Sequence, residues 1–385
     1  MTTTIERWVL AALLVAALFV GEAAASDAPM VRVTGSPTPV FSGASHGLRF
    51  VPDGHLSVLR RKGGDHAVWW GGGTMAGGGY TIAATSATLR DFRPVDAPLG
   101  IALPAFGPIG GTTAFDADYA APGSVVRDPA FADERHLLMF YHGENHTFAG
   151  VTHPAVPYYA SIGLARSSDG GRRWTRVGKI VDGLLPHGDG PAPRGALGAG
   201  TPSVVAHDGW WYLFYVDWNT SLPDAIHLAR APISGGGLPG TWSKWHDGAF
   251  AEPGIGGVST PVILPPAPAD RSIYAAMPDV SWNTALGRFL MIYECDDAFR
   301  AASSTDLITW STPTAFLANP AGAASRRSGQ TWMSYPTLVS LGTDSDRVTG
   351  ASGQLFHARG VWDVVEHTLW RIPIAIAPPA GGSSR

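Results

Sequence analysis

Four carboxylates lie beside strand-like segments of the sequence: Asp128, Glu144, Asp279 and Glu294. Cleavage of a glycosidic bond needs two carboxyl groups that flank the bond, one as acid and one as base or nucleophile. Asp128 follows Arg127, whose charge would keep that carboxylate ionised and suit it to the role of base, nucleophile or charge stabiliser. Glu144 or Glu294, if partly desolvated, could donate the proton with a raised pKa, and the sequence does not choose between them.

Further polar and aromatic residues recur at the start of a first strand or after a second strand of each sequence unit. Such side chains bind sugar hydroxyls or stack on apolar sugar faces. The predicted substrate-binding residues are Asp53, Arg127, His142, His146, Asp217, Trp218, Tyr335 and His357. The two histidines beside Glu144 could instead bind a metal ion, and a plain polar loop is an equally good explanation. Aspartates at the start of a strand are also common turn formers.

A repeat of strand-rich units would position these residues. The segment from Val126 to Arg176 reads as strand, turn, strand, loop, strand, turn, strand, which is one antiparallel four-stranded blade. Similar units start near residues 55, 128, 201, 279 and 335. The pattern predicts an all-β fold, a five-bladed β-propeller of four-stranded antiparallel blades. A β-sandwich or two stacked all-β domains is the alternative, but sandwiches do not repeat a four-strand unit in this way.

The predicted domain spans residues 26–378, with blades at roughly 40–96, 123–180, 199–247, 275–315 and 331–375, and a tail at 379–385. Residues 1–25 have the pattern of a signal peptide, because Arg7 precedes an apolar run that ends in small residues. An uncleaved anchor is the alternative. We therefore expect a secreted, extracellular or periplasmic protein that has no membrane contact after cleavage and is a monomer.

The composition excludes some functions and some sources of stability. The net charge is −4 and charged residues make up 15% of the chain, so nothing is basic enough to hold a nucleic-acid backbone. Cys295 is the only cysteine, which excludes an intramolecular disulfide. Stability must therefore come from the core, which a chain of 385 residues can make large.

The chain from about residue 40 to 375 resembles the five-bladed β-propeller glycoside hydrolases, the group of arabinanases, β-xylosidases, invertases and levanases. The resemblance rests on the repeat, on first strands that begin with Asp-Pro or Thr-Pro, and on a third strand that ends in Ser304-x-Asp306-Leu307-x-x-Trp310. Arg127-Asp128-Pro129 matches an invertase-like motif whose Asp stabilises the transition state.

Two departures mark the chain as a divergent relative. Invertase-like members carry a Glu-Cys pair with the acid/base Glu in blade three, whereas Glu294-Cys295 lies in blade four. The Asn-Asp-Pro start of blade one is replaced by Pro52-Asp53-Gly54. The segment from Ser167 to Trp174 resembles the Asp-box turn of sialidases, and we interpret it as a structural turn.

The resemblance implies a secreted glycoside hydrolase that cleaves O-glycosidic bonds of a poly- or oligosaccharide with carboxylates in the channel. It implies no organic cofactor and allows a calcium ion in the channel. A non-catalytic propeller that binds carbohydrate or serves as a scaffold is the alternative. A glycoside phosphorylase is a third option, which export disfavours.

Overall fold

A computed structural model describes residues 30–74, 79–95, 101–103, 114–148, 151–152, 158–184, 196–218, 224–267, 273–295, 297–319, 328–364 and 366–378. The predicted signal peptide and the predicted tail at 379–385 lie outside these residues. Within them, no helix is long and apolar enough to cross a membrane. Helical structure among them consists of two short 3-10 turns, at Ala44–His46 and Ile233–Gly235.

The strands follow the order of the chain from blade 1 to blade 5. Two strands precede the first blade, β1 (Met30–Val33) and β2 (Thr38–Ser42). Blade 1 contains β3 (Leu48–Arg49), β4 (Ser57–Arg60), β5 (His66–Thr74), β6 (Gly79–Ser86), β7 (Arg93–Pro94) and β8 (Ile101–Leu103). Blade 2 contains β9 (Tyr119–Arg127), β10 (Leu137–Asn145), β11 (Thr147–Phe148), β12 (Val151–Thr152), β13 (Tyr158–Ser167) and β14 (Thr175–Asp182).

The other three blades repeat the same antiparallel order. Blade 3 contains β15 (Ala196–His207), β16 (Trp210–Trp218), β17 (Ala225–Pro232), β18 (Ser243–His246) and β19 (Ala249–Pro253). Blade 4 contains β20 (Ala275–Asn283), β21 (Arg288–Cys295), β22 (Ala298–Ser304) and β23 (Thr314–Ala318). Blade 5 contains β24 (Thr331–Val339), β25 (Val348–Thr349), β26 (Ser352–Val361) and β27 (His367–Ala377). The short β25 pairs with β20 and so joins blade 5 to blade 4.

Hydrogen bonds between the five inner strands, β4, β9, β15, β20 and β24, close a ring. A side-chain oxygen on each strand accepts the main-chain N–H of a residue on or beside the next inner strand. The five pairs are Ser57 with Val125, Ser124 with Val204, Ser203 with Val280, Asp279 with Leu338, and Thr337 with Leu56, at 2.7–3.1 Å. The last pair returns to blade 1, so the predicted all-β propeller is confirmed and its five inner strands form a closed circle.

The chain termini also close the ring. Strand β27 of the last blade pairs antiparallel with both N-terminal strands, Thr38 opposite Arg371 and Met30 opposite Ala377. The pairing of the second N-terminal strand covers Thr38–Ser42. Adding early strands to the last blade satisfies edge hydrogen bonds that would otherwise face solvent.

The hydrophobic core lies between neighbouring blades. Phe92 of blade 1 packs on Phe356 of blade 5, and Phe214 of blade 3 lies in one buried cluster with Phe289 of blade 4. These large side chains are buried, because the blades face each other across apolar surfaces. Adjacent blades therefore hold each other in place, which keeps the inner strands in register around the channel.

One end of the ring is blocked by the loop between β24 and β26. Arg347 from this loop is buried and donates to Ser203 and Val280 of blades 3 and 4. Its guanidinium also bonds Asp279 at 2.5 Å and Asp346 at 2.7 Å. The Asp346 N–H donates to Val58 O, 3.1 Å away in blade 1. We call Leu341–Thr349 the plug, because it bridges blades 1, 3 and 4 at this end of the channel.

The third strands of blades 2 and 4, β13 and β22, end in tight turns of the same type. Ser167 Oγ accepts the N–H of Gly171 at 2.9 Å, and Ser304 Oγ accepts the N–H of Leu307 at 2.8 Å. The aspartates two residues on, Asp169 and Asp306, accept further main-chain N–H groups. The polar side chains of the Ser167 turn bond main-chain groups of the same turn, which agrees with the structural role predicted for it.

Candidate functional site

A group of polar side chains gathers at the end of the channel opposite the plug. Asp53, just before the inner strand of blade 1, accepts a 2.8 Å hydrogen bond from the Tyr335 hydroxyl of blade 5. The Tyr119 hydroxyl of blade 2 donates to the main-chain oxygen of Asp53. Burial raises the pKa of Asp53, and the negative charge of Glu144 raises it further. His367 and the hydrogen bonds from the two tyrosines act in the opposite direction, but the pKa of Asp53 remains raised.

Glu144 is held between two histidines of its own strand. His142, Glu144 and His146 are two residues apart on β10 and just past its end, so their side chains share one face. The Nε2 atoms of both histidines lie 2.9 Å from the two carboxylate oxygens. Burial alone would raise the pKa of Glu144, but the two histidines lower it to about 2. Glu144 is therefore a fixed negative charge at neutral pH.

Glu294 at the end of β21 is the third carboxylate. Its oxygens accept hydrogen bonds from Tyr274 and Ser334, both at 2.5 Å. Ser334 is followed directly by Tyr335, whose hydroxyl bonds Asp53. Two consecutive residues of β24, Ser334 and Tyr335, thus connect Glu294 of blade 4 with Asp53 of blade 1. We call Asp53, Glu144 and Glu294 the carboxylate cluster.

Aromatic rings line the blade 2 side of the cluster. The His142 ring lies 5.8 Å from Tyr119, 6.2 Å from Tyr158 and 6.0 Å from Trp218, each nearly at right angles. Tyr158 also meets Trp218 at 6.2 Å and His146 at 5.5 Å. Edge-to-face contacts of this kind lock ring orientations. The rings therefore form a rigid wall beside Glu144.

A bulge recurs in three inner strands near the cluster. Thr201, Met277 and Tyr335 each have a positive φ, between 51° and 59°, and each precedes a proline that is skipped in the strand register. A left-handed conformation is unfavourable for such residues and persists only where the surroundings hold it. In blade 5 the bulge carries Tyr335, whose hydroxyl reaches Asp53.

Arg127 and Asp128 lie at the other end of the molecule. The prediction that they start the inner strand of blade 2 is wrong, because β9 runs from Tyr119 to Arg127, so that Arg127 ends the strand and Asp128 follows it. The strand puts them roughly 25–30 Å from the Tyr119 end. Asp128 accepts the N–H of Ala130 at 3.0 Å, as in an ordinary turn. The structure gives neither residue a place in the cluster.

Three other predicted residues have structural partners. Asp279 accepts the Leu338 N–H and pairs with Arg347, which makes it a link in the ring beside the plug. Asp217 accepts the Leu184 N–H at 3.1 Å. His357 is fully buried against Phe299, and burial lowers its pKa to about 3. None of the hydrogen bonds above joins them to the cluster.

The structure brings together Asp53, Glu144, Glu294, His142, His146, Trp218 and Tyr335 from the predicted set. Sequence reasoning missed Tyr119, Tyr158 and Tyr274. Each lies at or just before the start of a strand, but a lone tyrosine there looks like core packing. Among the described residues, no group of three His, Cys, Asp or Glu side chains is arranged to hold a metal ion.

Comparison with solved structures identifies the architecture. The GH62 α-L-arabinofuranosidase catalytic domain of Coprinopsis cinerea matches with a TM-score of 0.51 and 12% identity, covering 91% of this chain and 98% of the other. A thermostable family-43 glycoside hydrolase matches at 0.52 and 12%, covering 92% and 97%. The fold is that of the β-propeller glycoside hydrolases.

A third such structure, the α-L-arabinofuranosidase of Lactobacillus brevis, matches at 0.52 and 11%, covering 85% of this chain and 93% of the other. No protein-family profile and no curated protein sequence matches the chain. At 10–14% identity the similarity lies in the propeller, and these side chains must be judged by their own contacts.

Proposed function

We propose that the protein hydrolyses O-glycosidic bonds of an oligo- or polysaccharide at the carboxylate cluster. The observation that carries the proposal is the pair of hydrogen bonds from Ser334 and Tyr335 to Glu294 and Asp53. Two carboxyl groups from different blades, beside a wall of rings, supply what glycoside hydrolysis requires. The glycoside hydrolase fold supports the same reaction class.

The three carboxylates differ in their fitness for proton transfer. Glu144 stays ionised, because two histidines hold its charge. Asp53 has a raised pKa, which suits it to give a proton to the leaving oxygen. Glu294 would then activate water or attack the anomeric carbon. In this assignment Glu144 supports Asp53, since its negative charge raises the proton affinity of Asp53.

Release of reducing sugar tests the activity. The protein from residue 26 onward would be incubated with arabinan, xylan, fructan and galactan, and with activated aryl glycosides. We expect Asp53→Asn and Glu294→Gln to lower kcat on glycans at least a hundredfold. Asp128→Asn is the matched control and should retain wild-type activity. Equal loss in the control and in the cluster variants would contradict the proposed site.

The aryl substrates test the assignment of roles. A good leaving group needs no proton, so Asp53→Asn should keep more activity on aryl glycosides than on glycans, and Glu294→Gln should lose both equally. The opposite pattern would exchange the two roles.

A non-catalytic sugar-binding propeller is the second candidate. Both oxygens of Glu144 and both oxygens of Glu294 have partners within the protein. Glycan binding by calorimetry, with no sugar release from any substrate, would favour this function.

We also propose that the protein is exported and acts as a monomer. The proposal rests on the N-terminal sequence pattern and on the propeller architecture, which leaves only short strand edges at the rim. N-terminal sequencing and the measured mass of the exported protein would test both.

A further inference from the structure

A second site lies at the end of the propeller opposite the carboxylate cluster. Here a cleft of about 300 Å³ opens between blades 1 and 2. Five arginines line it: Arg60, Arg61, Arg127, Arg135 and Arg172. We call it the arginine cleft. It contains the Arg127 side chain that the sequence predicts for substrate binding, and part of the Ser167 turn.

Hydrogen bonds between neighbouring turns make the cleft rigid. They join the turn after β4, the turn after β9 and the turn after β13. The bonds are Lys62 N–H to both oxygens of Glu134 at 3.1 and 3.3 Å, Gly170 N–H to Arg135 O at 3.0 Å, Arg127 Nη2 to Arg60 O at 2.6 Å, and Trp69 Nε1 to Gly171 O at 2.9 Å. A ligand would therefore meet preorganised walls, which lowers the entropy cost of binding.

Positive charge in the cleft exceeds negative charge. The lining contains two carboxylates, Glu134 and Asp169, against the five guanidinium groups. Glu134 accepts the Lys62 N–H and lies 3.7 Å from Arg127. Asp169 accepts main-chain N–H groups of its own turn. Arg61 also pairs with Asp65 beside the cleft at 3.2 Å, so five guanidinium groups stand against three carboxylates. A concave basic surface of this kind focuses its field on anions.

We infer that the arginine cleft binds the oxyanion groups of an acidic polysaccharide. Guanidinium groups bind planar carboxylates and sulfates through paired hydrogen bonds. A second depression of about 390 Å³ shares Arg135, Asp169 and Arg172 with the cleft and adds Arg173. The basic surface therefore continues beyond the cleft, which suits a chain with a repeating negative charge.

The lining disfavours a nucleic acid. Single strands bind through bases stacked on exposed aromatic side chains. Trp69 is the aromatic residue in the described lining, and it is 1% exposed. The inference that the oxyanions belong to a carbohydrate rests on the proposed function. The inference that the cleft binds oxyanions rests on the arginines alone. Binding is measured without catalysis, so failure of either idea leaves the other open to test.

Isothermal titration calorimetry with four probes tests the inference. The probes are trigalacturonate, a sulfated heparin tetrasaccharide, inorganic phosphate and an oligothymidylate. The double variant Arg60→Gln/Arg135→Gln removes two guanidinium groups from the cleft. Arg32→Gln, at an exposed arginine on β1, is the matched control.

We expect an acidic oligosaccharide to bind, with affinity at least tenfold weaker in the double variant and unchanged in the control. Binding should weaken further when NaCl rises from 50 to 500 mM. Preference for trigalacturonate or for the sulfated probe tells which oxyanion is the ligand. Absence of binding by both acidic sugars, equal binding by the double variant, or tighter binding of the oligothymidylate would overturn the inference.

Discussion

Replacement of Arg347 by Met should destabilise the propeller strongly. The Arg347 guanidinium donates four hydrogen bonds, to Ser203, Val280, Asp279 and Asp346, at 2.5–2.9 Å. It is 8% exposed, and the carboxylates of Asp279 and Asp346 are 1% and 0% exposed. Methionine fills much of the same volume but leaves two buried carboxylates without a cation.

Breaking a buried ion pair by removing one partner costs about 3–5 kcal/mol. Because two carboxylates lose their partner, we expect about 5 kcal/mol for Arg347→Met at pH 8. In a chain of 385 residues each kcal/mol shifts Tm by about 1–2 °C, so Tm should fall by about 5–10 °C.

The cost should depend on pH. Burial raises the pKa of Asp346 to about 6 even with Arg347 beside it, and it raises the pKa of Asp279 as well. The folded state therefore binds more protons than the unfolded chain, and the stability from these groups is present at low pH and lost as pH rises through about 6. Removing Arg347 raises both pKa values further. At pH 5 the carboxyl groups are neutral, so the variant should lose only about 2 kcal/mol.

Differential scanning calorimetry at pH 5 and pH 8 measures both effects. Arg32→Met, at an exposed arginine, is the control and should change stability by less than about 0.5 kcal/mol. A Tm shift below about 2 °C for Arg347→Met at pH 8, or the same shift at both pH values, would refute the role assigned to the plug.

Two other changes have clear directions. Tyr335→Phe removes a hydrogen bond that lowers the pKa of Asp53, so the limb of the pH–kcat/KM profile that Asp53 controls should move to higher pH; an unmoved limb argues against Asp53 as the titrating group. Gly171→Ala should destabilise the fold by several kcal/mol more than Gly170→Ala, as urea unfolding would show. Both glycines have φ near +80°, but the new Cβ at residue 171 would lie 2.2 Å from Trp69, whereas that at residue 170 meets nothing. Equal midpoints would contradict that packing.

Local sequence patterns were enough for the fold class. Each strand alternates or runs apolar over a few residues, and each turn carries its own Ser, Asp or Gly. The turns at Ser167 and Ser304 form as predicted, because their hydrogen bonds join atoms within a few residues of each other. The five-unit repeat then predicts a ring without knowledge of any long-range contact.

The site was predicted only in part. Glu144 and its histidines were found because alternation along β10 puts them on one face. Asp128 was placed at the wrong end, because a short motif does not show where its strand begins. Asp279 was taken for a catalytic group because its links to Leu338 and Arg347 cross 59 and 68 residues of sequence.

The sequence by itself determined what depends on neighbouring residues: the strands, the turns and the five-unit repeat. Only the tertiary structure decided which carboxylates meet. Asp53 and Tyr335 are 282 residues apart, and Glu294 and Ser334 are 40 apart. Such contacts depend on closure of the ring and on bulges that aim one side chain. Closure of the ring is set by packing between blades, which leaves no local signature in the sequence. The prolines at the bulges mark where a strand is interrupted, but they do not show which partner the side chain will meet.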